Sequence, residues 1–598
     1  MRNKQFRFKL MAMAAAGVAL GAPGLANAGM VVNNMVTVNT AVDSVDASPG
    51  DGLCEDANGR CSLRAAVMEA NALPGANTIE LRPQLYRLRL AGKGEDAAAT
   101  GDLDVTDTLT IIGNGSVIDG ANVDRIFDNI GANLTLSYVN MSRGAPASTE
   151  SGGAIQSTGT LNIDHSQIGA STVTGASASG GAIFNNGGTA NISFSTLSGN
   201  TAVRAGGAIE ANAGSTTLNV VTMDSNFAGP APGNGGAFHL TGAGTVNVTG
   251  TTASNNVASS EGGGLWNSST GTMLIRSSNI SANQANGDAA DNGGGGLFND
   301  GGTMTVQNTV ISDNTALGTS GSGGGILSLG DLSVTMGTIS GNSASRAGGG
   351  IEANNADTTL RSLTLSGNST GAAPGNGGGM HITGAGNADI FMTTVTGNTA
   401  ASEGGGLWNS TGEMKVMAST VIGNTANGAE STNGGGGLFN NGGTMTVTRS
   451  TIGANFAPGA SGSGGGIFND QGTLAVRIST ISGNSASRAG GGVEANAGDT
   501  TLSDTSLLGN QTGPSPGNGG GLHLTGAGNV LIARGGVYDN TATNEGGGLW
   551  NSSTGTMTVV RTGIARNTAP VGPDAFTQPG GVFRLNGTLV QPVAAGGF

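Results

Sequence analysis

The chain has 598 residues, of which 112 are glycine, while only 10% are charged and 4% are aromatic. So much glycine without a three-residue period excludes collagen, and so few charges exclude the composition typical of disordered chains. The net charge is −14, and after the first ten residues the only lysines are Lys93 and Lys415. Nucleic acid is therefore excluded as a partner, since binding phosphates needs a basic surface.

The first 28 residues predict an export signal. A basic start from Arg2 to Lys9 precedes an apolar run over residues 10–25, and Ala26-Asn27-Ala28 supplies the small-residue cleavage pattern. No later segment approaches the roughly 20 apolar residues that span a bilayer, so no transmembrane segment is expected.

Two cysteines follow, Cys54 and Cys61, seven residues apart. In the oxidising compartment that export implies, this spacing predicts a small disulfide loop. Two cysteines are too few for a structural zinc site, which needs four ligands.

A short helix is predicted next. Residues 62–73 repeat apolar side chains at helical spacing, and Pro74-Gly75 ends the run. We expect residues 29–104 to form an N-terminal cap, because an uncovered solenoid end exposes its core and its strand edges.

Repeats dominate the rest of the chain. A Gly-Gly-(Gly/Ala)-apolar unit, followed by Thr-apolar-x-apolar and Ser/Thr-x-apolar-x-x-Asn, recurs fifteen times with a mean period of about 28 residues. Its apolar residues are Ile155, Ile183, Ile209, Phe238, Leu265, Leu297, Ile326, Ile351, Met380, Leu407, Leu438, Ile467, Val493, Leu522 and Leu549. Copies of Glu-Gly-Gly-Gly-Leu-Trp-Asn-Ser begin at Glu261, Glu403 and Glu545, 142 residues apart, so the units form three blocks of five from about residue 150.

Each unit alternates apolar and polar residues over short runs, as in Leu161-Asn162-Ile163, which is strand periodicity. Short strands cannot bury their own apolar faces, so the units must stack. We predict an all-β chain in which residues 105–565 form a parallel β-helix solenoid, with coils roughly 4.8 Å apart. Residues 566–598 are expected to close the C-terminal end. Asparagines two residues past the apolar position, such as Asn267 and Asn299, predict an internal ladder.

Two resemblances rest on these residues. Residues 37–81, which contain Cys61-Ser62-Leu63-Arg64, resemble the N-terminal module named after its Cys-Ser-Leu-Arg-Glu-Ala motif, found on exported bacterial proteins. Ala65 stands where that family has Glu, which removes one half of a helix capping box. With the export signal, this resemblance implies an extracellular or outer-surface location, in a Gram-negative bacterium.

From about residue 105 to 570 the chain resembles right-handed parallel β-helix proteins of the pectin-lyase-like superfamily. The stretch IIGNGSVIDG (111–120) is similar to their early coils. The Gly-Gly-Ala-Ile units also resemble repeats of polymorphic outer-membrane proteins and related adhesins. These likenesses imply a right-handed β-helix and an adhesin-like role.

The residue one past each inward apolar position is expected to face outward. In every block, three successive coils place Glu, His and Trp there, roughly 5 Å apart, and the trio returns about 24 Å further on. Tryptophan would stack on sugars, His and Glu would bond hydroxyls, and repetition would add avidity on a polymer. These candidate carbohydrate-binding residues are Glu210, His239, Trp266, Glu352, His381, Trp408, Glu494, His523 and Trp550.

Two structural interpretations of the same stripe stay open. A long loop or the C-terminal tail covers it, or its aromatic side chains simply stabilise neighbouring coils by stacking. Identity among the three copies does not decide, because a recent duplication would copy neutral residues as well.

We expect a secreted or cell-surface protein that is non-catalytic and adhesin-like and binds polysaccharide or a cell surface. Any anchorage would come from a partner that the sequence does not identify. The alternatives are a polysaccharide lyase or glycoside hydrolase, and a structural rod of the envelope. Glycosidases use two closely spaced carboxylates, and a catalytic site copied three times along one rod is unusual.

Acidic residues cluster in the early coils. Asp102, Asp104, Asp119 and Asp124 are candidates for holding Ca²⁺, which takes six to eight oxygen ligands. Ordinary surface carboxylates of an acidic protein are the alternative, and no other cofactor is expected.

Overall fold

The computed structural model describes residues 29–31 and 34–590. The predicted export signal and the last eight residues of the predicted C-terminal cap lie outside these described residues. The chain forms a parallel β-solenoid of about 18 turns, with 48% of residues in strands and 2% in helix. The predicted fold class is confirmed.

In each of the fifteen repeat units a strand follows the glycine cluster, and these strands form stack A together with two strands before them and one after them. Their apolar residues point inward and stack in register, as Ile155 does on Ile183 and Ile183 on Ile209. The strands of stack A are Leu103–Val105, Phe127–Asn129, Ile155–Ser157, Ile183–Asn186, Ile209–Asn219, Phe238–Thr249, Leu265–Asn267, Leu297–Asn299, Ile326–Ser328, Ile351–Asn354, Met380–Thr383, Leu407–Asn409, Leu438–Asn441, Ile467–Asp470, Val493–Asn496, Leu522–Thr525, Leu549–Asn551 and Ala575–Thr577.

Stack B follows after a turn, and Ile209–Asn219 and Phe238–Thr249 run through that turn and serve both stacks. Its other strands are Met35–Thr37, Asn77–Glu80, Leu109–Asp119, Asn133–Ser142, Thr160–Asp164, Thr189–Ser193, Thr272–Arg276, Thr303–Ser312, Leu332–Ser340, Thr358–Ser366, Ala388–Phe391, Glu413–Met417, Thr444–Thr448, Thr473–Arg477, Asp499–Ser503, Asn529–Ala533, Thr556–Val560 and Val582–Leu585.

Stack C follows a sharp corner, at which the residue has a positive φ in every repeat unit. The second halves of Leu109–Asp119, Asn133–Ser142, Thr303–Ser312, Leu332–Ser340 and Thr358–Ser366 belong to it. Its separate strands are Leu85–Arg87, Gln167–Gly169, Thr196–Ser198, Thr222–Asp224, Thr252–Ser254, Asn279–Ser281, Thr394–Thr396, Thr420–Ile422, Thr451–Gly453, Thr480–Ser482, Ser506–Leu508, Gly536–Tyr538 and Gly563–Ala565.

Stack D closes the coil with two-residue strands in a twelve-stranded parallel sheet. A loop then returns the chain to the next glycine cluster. The strands are Thr201–Ala202, Phe227–Ala228, Val257–Ala258, Gln284–Ala285, Thr315–Ala316, Ser343–Ala344, Ser369–Thr370, Thr399–Ala400, Thr425–Ala426, Phe456–Ala457, Ser485–Ala486 and Gln511–Thr512.

The glycine clusters are required by the closeness of adjacent coils. Gly404 has φ +64°, a conformation that residues with a Cβ rarely adopt. At Gly405 a Cβ would lie 2.4 Å from the carbonyl oxygen of Gly436 in the next coil. The repeated Gly-Gly-Gly therefore marks the point where backbones pack against each other without side chains between them.

Two asparagine ladders run through the interior. At the end of stack A, Asn267 donates to Asn299 at 2.8 Å and Asn409 to Asn440 at 2.8 Å, as predicted. A longer ladder fills the turn between stacks C and D, where each Nδ2 donates to the next Oδ1 at 2.9–3.0 Å. Its members are Asn200, Asn226, Asn256, Asn283, Asn314, Asn342, Asn368, Asn398, Asn424, Asn455, Asn484, Asn510, Asn540 and Asn567.

The N-terminal region contains the predicted helix, Leu63–Ala72, whose first turn is capped by the Ser62 hydroxyl accepting from Ala65 N. The predicted disulfide between Cys54 and Cys61 is confirmed. A two-stranded sheet, Gly29–Met30 with Leu53–Cys54, lies beside this loop.

The helix is fixed to the solenoid by a buried arginine. Arg64 pairs with Asp43 at 2.7 Å and donates to the carbonyl oxygens of Ala98, Gly101 and Asp102. At the other end, Thr588–Val590 pairs antiparallel with the last strand of stack B. Among the residues described, no helix is long and apolar enough to cross a membrane.

Candidate functional site

The predicted Glu–His–Trp trios do lie on successive coils. Glu210 pairs with His239 and His239 with Trp266 in the parallel register of stack A. The other two trios repeat this arrangement, Glu352–His381–Trp408 and Glu494–His523–Trp550. Alternation along a strand turns all nine side chains away from the solenoid core, as predicted.

These side chains are nevertheless buried. Trp266, Trp408 and Trp550 are only 8%, 6% and 5% exposed. Each indole is stacked between the histidine of the preceding coil and a phenylalanine of the following coil. The ring centroids are 4.2 Å apart for His239 and Trp266 and 5.8 Å for Trp266 and Phe298. The expectation that these rings stack on sugars is therefore wrong, because both faces of each ring are already covered.

The glutamate of each trio is the centre of a buried polar network. In the first copy, Glu210 Oε2 lies 2.8 Å from His239 Nδ1, and the Thr241 hydroxyl donates to Glu210 Oε1 at 2.6 Å. Threonine and histidine contact the glutamate in the same way in the other copies. The orientation of each histidine is thus fixed by the trio glutamate, whose carboxylate is itself held by the threonine hydroxyl.

An arginine joins each network, which sequence alternation did not indicate. Arg204, Arg346 and Arg488 lie in the loops that follow stack D, and their guanidinium groups approach the trio glutamates at 3.6–3.7 Å. Each also donates to a serine hydroxyl, as Arg488 does to Ser463 at 2.9 Å. The signal available in the sequence was their recurrence six residues before each trio glutamate.

In the third network, the charges next to Glu494 change the pKa of this buried glutamate. Burial alone would raise the pKa of Glu494, but the adjacent His523 and Arg488 charges and the Thr525 hydroxyl outweigh it. The pKa of Glu494 is consequently held below its usual value, and the group is ionised at neutral pH.

A second glutamate holds the edge of each indole. Trp266 Nε1 donates to Glu261 Oε2 at 3.1 Å, and Glu261 also accepts from Asn234 and Asn292. Burial raises the pKa of Glu261 and Glu403 above the usual value, although the hydrogen bonds from the indole and from Asn292 or Asn433 oppose the shift. Glu261 thus has a structural contact with the ring five residues away.

One open cavity adjoins a trio. It has a volume of about 310 Å³ beside the third copy. Its lining includes Arg488, Asn518, His523, Thr525, Trp550, Ser552, Ser553, Thr554 and Gln578. A site with a partly exposed guanidinium, amides, hydroxyls and aromatic edges can bind a ligand rich in hydroxyl groups.

The three copies have kept this chemistry while other positions diverged. Arg, Glu, His, Thr and Trp are the same in all three blocks. The exposed corner between stacks B and C differs in every comparison, such as Phe194, Met336 and Ile478, or Val220, Ser362 and Asp504. The blocks have therefore had time to drift, so the identical trios reflect a constraint.

The early acidic residues fall into two places. Asp102, Asp104 and Asp128 each direct a carboxylate oxygen into one group, with these atoms within 4.8 Å of one another. Asp124 adjoins them. Asp119 lies apart, bonded to Arg87 and Arg143, which outweigh its burial and hold its pKa below the usual value.

Comparisons with protein-family models, with curated proteins and with solved structures find no match to this chain. The resemblances to the Cys-Ser-Leu-Arg-Glu-Ala module, to pectin-lyase-like proteins and to adhesins are therefore without support from a family match. The parallel β-solenoid itself rests on the structure.

Proposed function

We propose that this is an exported, non-catalytic β-solenoid that binds a polysaccharide through three equivalent shallow sites along one face. The observation that carries the proposal is the threefold recurrence of one cluster, Arg–Glu–His–Thr–Trp, on a scaffold whose exposed corners have diverged. A polymer with a repeating unit is the ligand that uses equal sites in a row.

The proposed contacts differ from ring stacking. The buried trio holds the arginine and the indole edge in place. The solvent-accessible guanidinium group of the arginine then binds hydroxyl groups of the sugar. Arg204, Arg346 and Arg488 have side chains that are 36%, 22% and 21% exposed. In the third copy, Arg488 and Trp550 line the 310 Å³ cavity together with Ser553 and Thr554.

Catalysis is not part of the proposal. The trio glutamates are 0–1% exposed, so they cannot reach a glycosidic bond as an acid or a nucleophile. Each site therefore binds without cleaving, and affinity for a polymer comes from simultaneous engagement.

A glycan array tests this proposal. We expect the wild type to bind at least one polysaccharide and a variant with Arg204, Arg346 and Arg488 all changed to Gln to lose that binding. The matched control changes three exposed arginines, one from each block, Arg276, Arg361 and Arg449, to Gln. Equal loss in both variants, or binding to no polysaccharide, would leave the trios as structural elements of a rod.

A further inference from the structure

The first two strands of stack A carry carboxylates where later coils carry Glu, His and Trp. Asp104 and Asp128 are register neighbours at the outward position. Asp102 lies two residues before Asp104, and one oxygen of each of these three side chains falls within 4.8 Å of the others. Two oxygens bound to one Ca²⁺ at 2.3–2.6 Å are at most about 5 Å apart, so the group has the dimensions of a calcium site.

Arg125 satisfies only part of this group. Its Nη1 donates to Asp102 Oδ2 at 2.8 Å and to Asp128 Oδ2 at 3.0 Å. Asp104 Oδ2 accepts from Ala98 N at 2.7 Å, but Asp104 Oδ1 is buried and accepts no hydrogen bond. Asp124 Oδ2 is buried and unpartnered in the same way.

Asp104 and Asp124 are 1% and 2% exposed, so solvent does not satisfy these oxygens. A buried carboxylate oxygen without a donor is costly, and two such oxygens in one place point to a cation as their partner.

The charges around the group do not balance. The group of Asp102, Asp104, Asp124 and Asp128, with the nearby Glu150, contains one cation, Arg125, which pairs with Asp102, Asp128 and Glu150. Five carboxylates and one arginine leave a charge of −4 when all are ionised. Glu95 and Asp96 add to the negative potential, and the nearby Arg64 is already paired with Asp43.

We propose that Asp102, Asp104 and Asp128, with Asp124 beside them, bind one Ca²⁺ ion at the N-terminal end of the solenoid. The ion bridges the first two strands of stack A. Since Arg64 donates to the carbonyl oxygens of Gly101 and Asp102, the same ion also stiffens the attachment of the capping helix. Oxygen ligands in an irregular, partly protein-filled shell suit Ca²⁺ better than Mg²⁺, which demands a regular octahedron.

The test is a calorimetric titration of the full chain, stripped with a chelator, with CaCl₂ at fixed ionic strength. We expect one ion per chain above any weak background, and a rise in the midpoint of thermal unfolding when Ca²⁺ is added. Asp104→Asn is expected to weaken this binding at least about tenfold, because it removes a ligand charge.

Asp128→Asn is the second variant, because Asp128 is less buried and its change leaves Asp104 intact. Asp389→Asn is the matched control, since the Asp389 side chain is 58% exposed and far along the chain. A wild type that takes up no Ca²⁺ contradicts the proposal. So does uptake that is equal in the wild type, in whichever aspartate variants fold, and in the control, because such uptake is adventitious binding to surface acids.

Discussion

At the scale of single residues, Trp408 shows how a side chain that points outward is still buried. His381 covers one face at 4.1 Å, Phe439 lies on the other at 6.1 Å, and the indole N–H donates to Glu403. Strand alternation predicts the direction of such a side chain from sequence. It does not predict that the ring is buried, because the side chains that cover the ring belong to residues about 30 positions away, which the coil repeat brings next to it.

Tryptophan fluorescence checks this burial directly. With three tryptophans in the whole chain, all of them stacked and hydrogen-bonded, we expect a blue-shifted emission and weak quenching by acrylamide in the native protein. Quenching should rise strongly in guanidinium chloride, where the stack is lost. Native quenching as strong as that of the unfolded chain would show that the rings are open to solvent.

Glu494→Gln is expected to destabilise the protein at neutral pH by about 3 kcal/mol, because it leaves the Arg488 guanidinium without its buried counter-charge and replaces the carboxylate that contacts His523 by a neutral amide. The pKa of Glu494 is lowered in the fold, so the stabilisation from its charge is present above the unfolded pKa of about 4.3. That stabilisation is lost as the pH falls through the lower folded pKa. The measurement is the urea midpoint of both proteins from pH 7 to pH 3.

The control for this series is Glu413→Gln, which alters an exposed glutamate paired with Lys415. Surface pairs of this kind contribute roughly 0–1 kcal/mol, so its midpoint should stay close to that of the wild type. A Glu494→Gln midpoint equal to wild type at pH 7, or a difference that persists unchanged at pH 3, would contradict the assigned charge pairing.

At the scale of elements, the sequence predicts strands and their inward faces better than it predicts turns. Ile155, Ile183 and Ile209 stack in register because a two-residue alternation fixes the inward face. The long asparagine ladder between stacks C and D was not predicted, although its Asn ends the repeat motif. A turn residue follows no alternation, so its side-chain direction is decided by the backbone of the folded corner.

The same limit applies to the candidate site. Glu210, His239 and Trp266 were found because they occupy one strand position, whereas Arg204 lies in a loop. Loops after stack D differ in length from coil to coil, and only the folded chain shows that Arg204 reaches Glu210 at 3.6 Å.

Asn368→Ala tests the ladder. The change removes the acceptor for both Asn342 N and Asn342 Nδ2, and it deletes the bonds to Ile339 O and Asn398 Oδ1. Leaving two buried donors unsatisfied should cost about 3 kcal/mol, seen as a lower urea midpoint.

The matched control, Asn387→Ala, removes an exposed asparagine of the same block that donates to Asp357 and accepts from Glu413 N. It should change stability by less than about 0.5 kcal/mol. Equal effects of the two substitutions would mean that the interior ladder does not contribute more than a surface contact.

At the scale of the whole molecule, the three blocks place equivalent clusters at a regular spacing. Five coils separate equivalent clusters, so the proposed sites repeat about every 24 Å along the rod. This spacing follows from the sequence, because the duplication at 142 residues is visible without a structure. The accessible chemistry of each site was not visible, since it depends on which groups the stacked rings leave open.

The number of intact sites is the most direct test of the proposed function. Binding of one long polysaccharide is compared for the wild type and for variants with one, two or three of Arg204, Arg346 and Arg488 changed to Gln. We predict a stepwise loss of affinity with each site removed, steeper for the polymer than for its short fragments, because linked sites multiply affinity 10²–10⁴-fold. Affinity that is unchanged after all three substitutions, or equal for polymer and fragment, would contradict the account.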